Sequence, residues 1–326
     1  MLQWKQGIGY NQSLASRLGD FVGKYIIRRV LWMLLVLFVV AFITFVLMHL
    51  VPGGPWSETK TLAPQVIANL NKKYGLDKPF FDQFVMYIGN ALHGDLGISY
   101  IYQDRGVTAI ILQGLPITAT LGGVAFALAV LLGIPLGVGA ALKQNSAVDY
   151  VSVIFATIFA SIPGFVLGIL LMMFFSVTLH WLPTSGWGTV KQVIMPAFAL
   201  AALPAAYMAR ISRASMLDVV RQDYIRTARS KGLAERVVLI RHVLRNAMIP
   251  VVTIAGPELA GLITGSFIIE NLFSIPGIGR LFVQGVFQRD YGLIMGSVLF
   301  YAFAIAILNL AVDILYGAID PRIRYD

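Results

Sequence analysis

Apolar runs long enough to cross a bilayer recur along this chain, with polar residues gathered between them. The first, Val30 to Val51, holds 22 residues interrupted only by Thr44 and His49. As a helix rising 1.5 Å per residue it would reach about 33 Å, the depth of a hydrocarbon core. It exceeds the short apolar core of a secretory signal, and no small-x-small cleavage site follows, so it is read as a retained span. Further spans are expected at about 116–142, 150–175, 193–209, 250–269 and 291–316. Pro196 and Pro204 interrupt the fourth, whose apolar run is short. Pro135 lies among Gly133, Gly137 and Gly139, and Pro163-Gly164 sits inside the third span. Both predict close helix packing or a gentle kink, with a moving hinge as the sharper alternative. The pattern is that of an all-α integral membrane protein.

Two connections are long enough to fold. In 52–115, Pro52-Gly53-Gly54-Pro55 breaks the first helix, and short helices are expected at 64–74 and 79–93. Asp77 is the expected cap and Pro79 the expected first helical residue of the second. Phe80, Phe81, Phe84 and Tyr87 would pack against the membrane domain or rest at its interface, with contact to a receptor as the alternative. After the fifth span, Ser274-Ile275-Pro276-Gly277-Ile278-Gly279 reads as a turn before a helical stretch at 280–289. No internal repeat or low-complexity segment is evident.

Composition supports the membrane reading. Apolar residues make up 58% and charged residues 13%, and mean hydropathy is +0.77, whereas soluble domains carry about a quarter charged residues. Cysteine is absent, which removes disulfides, thiol catalysis and thiolate metal sites. The 4 histidines and 16 acids form no zinc-like cluster. The net charge of +9 is distributed unevenly. Lys5, Arg17, Lys24, Arg28 and Arg29 precede the first span against Asp20 alone. The 210–249 connection has nine basic residues against three acids, a net +6, whereas 52–115 has five of each. The positive-inside rule therefore places both termini and a 210–249 loop in the cytoplasm, leaves 52–115 external, and closes with six spans. Acids and apolar residues interrupt the basic loop, so it is read as an orientation signal and docking surface and not as a nucleic-acid tract.

Within that loop, Ile225, Ala228, Gly232 and Glu235-Arg236 mark successive turns, and Leu239, Val243 and Ala247 continue them. Gly232 permits a reversal or a close approach. Sequence physics alone leaves a membrane-surface helix and a partner-docking helix equally open. Arg221 through Pro250, R-Q-D-Y-I-R-T-A-R-S-K-G-L-A-E-R-V-V-L-I-R-H-V-L-R-N-A-M-I-P, resembles the coupling segment of dipeptide and oligopeptide ABC-importer permeases. Arg226-Thr227-Ala228 followed by Gly232 stands where the broader importers have Glu-Ala-Ala-x-x-x-Gly. Arg226 and Thr227 depart from that wider pattern and fit the peptide branch, as does the long distance from Gly232 to Ile249-Pro250.

The resemblance covers nearly the whole chain after about residue 24. It includes Tyr74 to Pro79, His93 to Ser99, Leu182 to Gly186, Glu270 to Phe273, Pro276 to Gly279, Arg289-Asp290-Tyr291 and the closing Asp320-Pro321-Arg322-Ile323-Arg324. It is similar to the first, B-type subunit of this family. The resemblance implies a six-helix type I importer domain at 25–326, after a cytoplasmic tail at 1–24, in the inner or cytoplasmic membrane. It implies a second homologous permease, two ABC ATPase subunits that bind ATP and Mg, an extracytoplasmic substrate-binding protein and a peptide substrate. Coupling to the ATPase would fall to Tyr224, Arg226, Thr227, Ala228, Arg229, Lys231, Gly232 and Leu233, with Ala228 and Gly232 permitting close approach. No G-x-x-x-x-G-K-S/T sequence is present, so this chain is expected to bind no cofactor and hydrolyse no ATP itself.

Polar residues inside spans are candidates for function. Glu258, near Gly256, Gly261 and Gly265, should face a cavity or a polar partner, either as packing or on the translocation path. Asn309 and Asp313 share a helix face and are expected to hydrogen-bond near the cytoplasmic end of span six. Met172, Met173, Phe174 and Phe175 are read as packing. An ion-gradient transporter would need paired titrating groups across discontinuous helices; Glu258 keeps that class in play, along with a receptor or channel, while the coupling signature favours the importer. Relatives of this class also serve nickel complexes, glutathione and oligosaccharides.

Overall fold

A computed structural model of the chain describes residues 3–51, 55–56, 63–102 and 105–319, with side-chain surroundings from residue 27 to residue 314. The side chains of the expected 1–24 tail, Pro52-Gly53-Gly54 and the closing sequence from Asp320 lie outside the described residues. Regular structure is helical, and among the described residues β pairing is limited to a bridge between Ile98 and Gly106. In chain order the helices are α1 (Gln3–Leu50), α2 (Pro64–Tyr74), α3 (Phe80–Leu92), α4 (Val107–Leu142), α5 (Ala147–Ser161), α6 (Gly164–Leu171), α7 (Val190–Val220), α8 (Asp223–Ser230), α9 (Glu235–Val237), α10 (Arg245–Thr264), α11 (Phe267–Leu272), α12 (Ile278–Phe287) and α13 (Tyr291–Ile319). Two π-helical turns, Met172–Thr178 and Val238–Leu244, extend α6 and join α9 to α10.

Among the described residues, Ile27–Leu50, Val107–Leu142, Val190–Val220, Glu235–Leu272 and Tyr291–Ile314 are long and apolar enough to cross a membrane. A sixth span results when Ala147–Ser161 and Gly164–Thr178 count as one, and this pair is bent by 103°. The gentle kink expected at Pro163-Gly164 is therefore a sharp corner. Ile162 has ψ 121° and Pro163 ψ 135°; a proline drives its predecessor out of helical conformation, and two extended residues in a row turn the chain. The span expected at 250–269 is also interrupted, because Gly265 sits at φ 100° between α10 and α11. The one expected at 193–209 lies inside a longer helix, α7, which continues through Arg210 and Arg213 to Val220.

The chain divides into two compact units, Met1–Val51 with Val298–Asp326, and Pro52–Ser297. In the first, Arg29 of α1 forms an ion pair with Asp313 of α13. The second is organised on α4, which packs along α7 and against α10 and α5. Helix α4 is apolar all round, as a helix covered by lipid and protein must be. A Cβ added to Gly133 would lie 2.5 Å from the Ala205 carbonyl oxygen, and one on Gly137 2.3 Å from that of Ala209. One on Gly122 would lie 2.0 Å from the Leu262 carbonyl oxygen of α10. Ala201, Ala205 and Ala209, spaced by four and buried, supply the facing surface. Small residues on both sides let backbones meet, which gives dispersion contact where lipid supplies no hydrophobic drive.

The remaining joints are held by polar staples. Asp290 is fully buried and caps α13, accepting the Leu293 N–H at 3.0 Å. Its other oxygen accepts the Ser99 hydroxyl and the Tyr100 N–H, the latter at 3.1 Å. Tyr100 packs against Trp56 and Tyr74 with tilted rings, centroids 5.4 and 4.6 Å away. Burial first, then the Asp290 charge, pushes its phenol well above the ordinary value and keeps it protonated. Asp77 does not cap the second short helix. Pro79 occupies the N-cap and no side chain hydrogen-bonds there, while Gly75 closes α2 in the left-handed conformation at φ 69°. Of the four aromatics of α3, Phe84 is buried and Phe81 is exposed.

The seam can be tested with adjacent glycines. Gly122→Ala should lower the stability of the detergent-solubilised protein by about 1–3 kcal/mol, the usual cost of overpacking. Gly123→Ala, whose Cβ would meet nothing within 4 Å, should be neutral or slightly stabilising. Equal thermal unfolding of the two variants would rule out the close approach.

Candidate functional site

The 210–249 connection folds into a small helical element on the ends of three spans. Asp223 in its first turn and Arg229 in its last suit the dipole of α8. Ile225 and Ala228, three apart, point inward and are buried. They meet Met216 of α7, Val238 and Val243 of the π turn and Ala247 of α10, with Val138 and Ala141 of α4 against the same cluster. Gly232 then reverses the chain at φ 77°. No atom lies within 4 Å of a Cβ built there, so the requirement is conformational and not steric. Across the reversal, the Arg229 guanidinium grips Glu235 with two bonds of 2.7 and 3.1 Å. Both partners are largely exposed, so the pair shapes the turn more than it stabilises it.

The outer surface carries Tyr224, Arg226, Thr227, Lys231 and Leu233, all exposed. The Tyr224 hydroxyl accepts a bond from Asn246 Nδ2 at 3.2 Å, which holds the ring at the surface. Val237 and Ile240 are exposed as well. The result is a mixed basic and apolar face. Ala228 was expected to permit close approach to a partner; its methyl is instead turned into the chain's own core. Its small size lets α8 approach Val238 and Val243.

A bidentate ion pair joins the helix that leads into this element to α5. Arg213, near the end of α7, donates from Nε and Nη2 to Asp149 of α5 at 2.6 and 2.8 Å. Asp149 is 3% exposed and also accepts the Asn145 N–H at 3.0 Å. Ser152, one turn further along α5, donates to the Leu136 carbonyl of α4 at 3.1 Å. The expected site residues did not include this pair; an acid in a helix's first turn and a lone arginine 64 residues later give no local signal.

The polar span residues separate. Asp313 accepts from Arg29, whereas Asn309, one turn earlier, is half-buried. Glu258 is half-buried and lines a cavity of about 320 Å³. A further carboxylate, Glu270, is fully buried. Its Oε2 accepts the Gly279 N–H at 2.9 Å and the Thr118 hydroxyl at 3.2 Å, and Thr118 Oγ1 accepts the Ile278 N–H at 2.9 Å. A Cβ on Gly277 would fall 2.2 Å from that oxygen, so glycine is what lets the turn close over the carboxylate. An acid followed by Pro-Gly-x-Gly was the available sequence signal.

The described residues thus form a helical membrane domain with a compact basic element between two spans. Residues 133–325 match the model for the binding-protein-dependent transport system inner membrane component, and residues 22–122 match the N-terminal model of such membrane components. The chain belongs to this family. It is 43% identical over 304 residues to the oligopeptide transport system permease protein OppB of Escherichia coli (strain K12), covering 93% of this chain and 99% of that protein. It is 40% identical over 301 residues to the dipeptide transport system permease protein DppB of Lactococcus lactis subsp. cremoris (strain MG1363), covering 92% and 99%. In fold it matches an inward-facing MetNI methionine ABC transporter structure with a TM-score of 0.53 and 19% identity, over 65% of this chain and 96% of that one. The chain is therefore a multi-pass inner-membrane permease, not catalytic by itself, that works with an ATPase and a substrate-binding protein.

Removing one partner of the Asp149–Arg213 pair should be costly. Asp149→Asn should lose about 1–3 kcal/mol of stability by leaving the guanidinium under-satisfied, and Asp149→Glu should recover part of it. Chemical unfolding of the purified permease in detergent measures both, and an Asn variant as stable as the parent would remove the pair from this role.

Proposed function

We propose that this chain forms one half of the translocation path of an ATP-driven importer for dipeptides or oligopeptides. The observation that carries the cargo is its near full-length identity to oligopeptide and dipeptide permeases. A second related permease supplies the other half, two ATPase subunits bind ATP and Mg, and an extracytoplasmic binding protein delivers peptide. Both termini and α8 face the cytoplasm, a reading supported by the +6 charge of 210–249.

In this reading the outer face of α8 and the following turn fits a groove on one ATPase. Tyr224 and Leu233 supply apolar contact, Arg226 and Lys231 orient the partner electrostatically, and Thr227 lies between them. Arg229 and Gly232 shape the turn, and Ala228 seats the element on its own spans. Closure of the ATPases on ATP draws the two permeases' coupling elements together and opens the cavity outward. Hydrolysis and separation restore the inward-facing form. The Asp149–Arg213 pair joins α7, which leads into the coupling element, to α5. Glu258 belongs to the path, and Asn309 and Asp313 to polar packing.

Reconstitution tests the assignment. Peptide uptake into proteoliposomes should require ATP and both kinds of partner; uptake driven by an ion gradient with the ATPases omitted would overturn it. Gly232→Trp should cut coupled uptake about tenfold, equivalent to about 1.4 kcal/mol of docking, while Gly232→Asn, which tolerates the left-handed conformation, should retain most. Cysteine at Thr227 or Lys231 should crosslink to an ATPase subunit. Normal uptake by Gly232→Trp with no crosslink from either position would place docking elsewhere.

A further inference from the structure

Most buried carboxylates of the 52–297 unit are hydrogen-bonded, although Glu270 keeps its Oε1 buried without a partner among the described residues. Asp149, Glu270 and Asp290 each accept hydrogen bonds from named donors, and each sits at a joint between helices. Glu258 differs. It lies within a transmembrane helix, it is half-buried, and no described residue donates a hydrogen bond to its carboxyl. It faces a cavity of about 320 Å³ bordered by Gly164 just past the α5–α6 corner, by Pro204 inside α7 and by Ser266 just past the break at Gly265. Two broken spans and a helix with an internal proline thus meet around one acid. Among the described lining residues Glu258 alone is ionisable, and Phe165, Leu203 and Ile268 make the surrounding wall apolar. The Ser266 hydroxyl is engaged by the Ile269 N–H at 3.3 Å. Small-molecule sites commonly measure about 300–1,000 Å³, with apolar walls and few polar anchors. This volume suits one end of a short peptide, not a long chain.

We propose that the Glu258 carboxylate and this cavity form a subsite for the free α-ammonium end of the transported peptide, with its first side chain against Phe165, Leu203 and Ile268. The inference rests on the peptide cargo proposed above. A carboxylate in a weakly polar wall has one favourable use for a cation that arrives and leaves. The ammonium gains a charge-assisted hydrogen bond while in the path, and no fixed basic residue of the wall competes for the acid.

The test applies a peptide with a photoreactive diazirine on its first side chain to the assembled permease–ATPase complex. The binding protein is left out so that its own selectivity does not intervene. Light-dependent labelling of residues 254–269 is read by mass spectrometry for the free-amine peptide and its Nα-acetyl counterpart. In the parent complex, acetylation should reduce labelling about tenfold or more, the effect of losing one charge-assisted bond. Glu258→Gln should reduce free-amine labelling similarly, and Glu258→Asp should retain part of it. If Glu258 instead pairs with the second permease, Glu258→Gln fails to assemble and labelling of the parent is the same for both peptides, which overturns the subsite. Equal labelling of Glu258→Gln and the parent overturns it as well. Peptide uptake by the parent complex with its binding protein is scored separately. A complex that imports peptide without amine-dependent labelling defeats the subsite alone, and one that imports no peptide defeats the cargo assignment beneath it.

Discussion

The backbone contact of α4 with α7 and α10 is the constraint on which the 52–297 unit depends. Lipid is as apolar as leucine, so helices in it gain little from hiding side chains and must gain from approaching closely. Gly122, Gly133 and Gly137 achieve this by having no atom where Leu262, Ala205 and Ala209 present carbonyl oxygens. The other parts hang from that seam. Ser152 fastens α5 to α4, and Asp149 fastens it to α7. The α8 element rests on Val138 and Ala141 beyond the last seam glycine. The cavity is bordered by Pro204 of α7 and by Ser266, just past the break at Gly265.

Three of the buried carboxylates share a duty. Where these helices start, backbone groups lack ladder partners, and an acid meets them. Asp290 serves the start of α13 and the 99–101 turn, Glu270 the start of α12, and Asp149 the start of α5. These acids stabilise architecture because their partners are fixed. An acid in mid-helix facing open space has no such duty, which is why Glu258 is set apart from them by surroundings and not by residue type.

Much of this was legible from the order of residues, and the parts that were not share a cause. Apolar run length located the membrane helices, because bilayer thickness imposes a length. It did not locate the end of α7, since Arg210 and Arg213 belong to the same helix as the apolar run they follow. Pro163-Gly164 marked a break but not its 103° angle, which depends on two successive extended residues. In the coupling segment, spacing showed that Ile225 and Ala228 share a face. Whether that face meets a partner or the chain's own core depends on Val138, Met216 and Val243, far away in sequence. Glu270 was visible only as one letter in a familiar stretch, because its side-chain partner Thr118 lies 152 residues earlier.

The π turn at Val238–Leu244 has a consequence for how the coupling element is aimed. Val238 and Val243 are five residues apart, yet both are fully enclosed in the same cluster. In an α-helix, five residues advance about 500°, leaving the two side chains roughly 140° out of phase; the wider i→i+5 winding brings them back into line. Ala247, four residues on, then resumes α-helical spacing on that face. One residue fewer, wound as an ordinary α-helix, would advance about 400° over four residues and leave what precedes it in nearly the same orientation. The direction in which the element points is therefore kept by the winding of this turn: the same residues wound as an α-helix would rotate everything before Val238 by roughly 140° relative to the span, even with every contact residue retained.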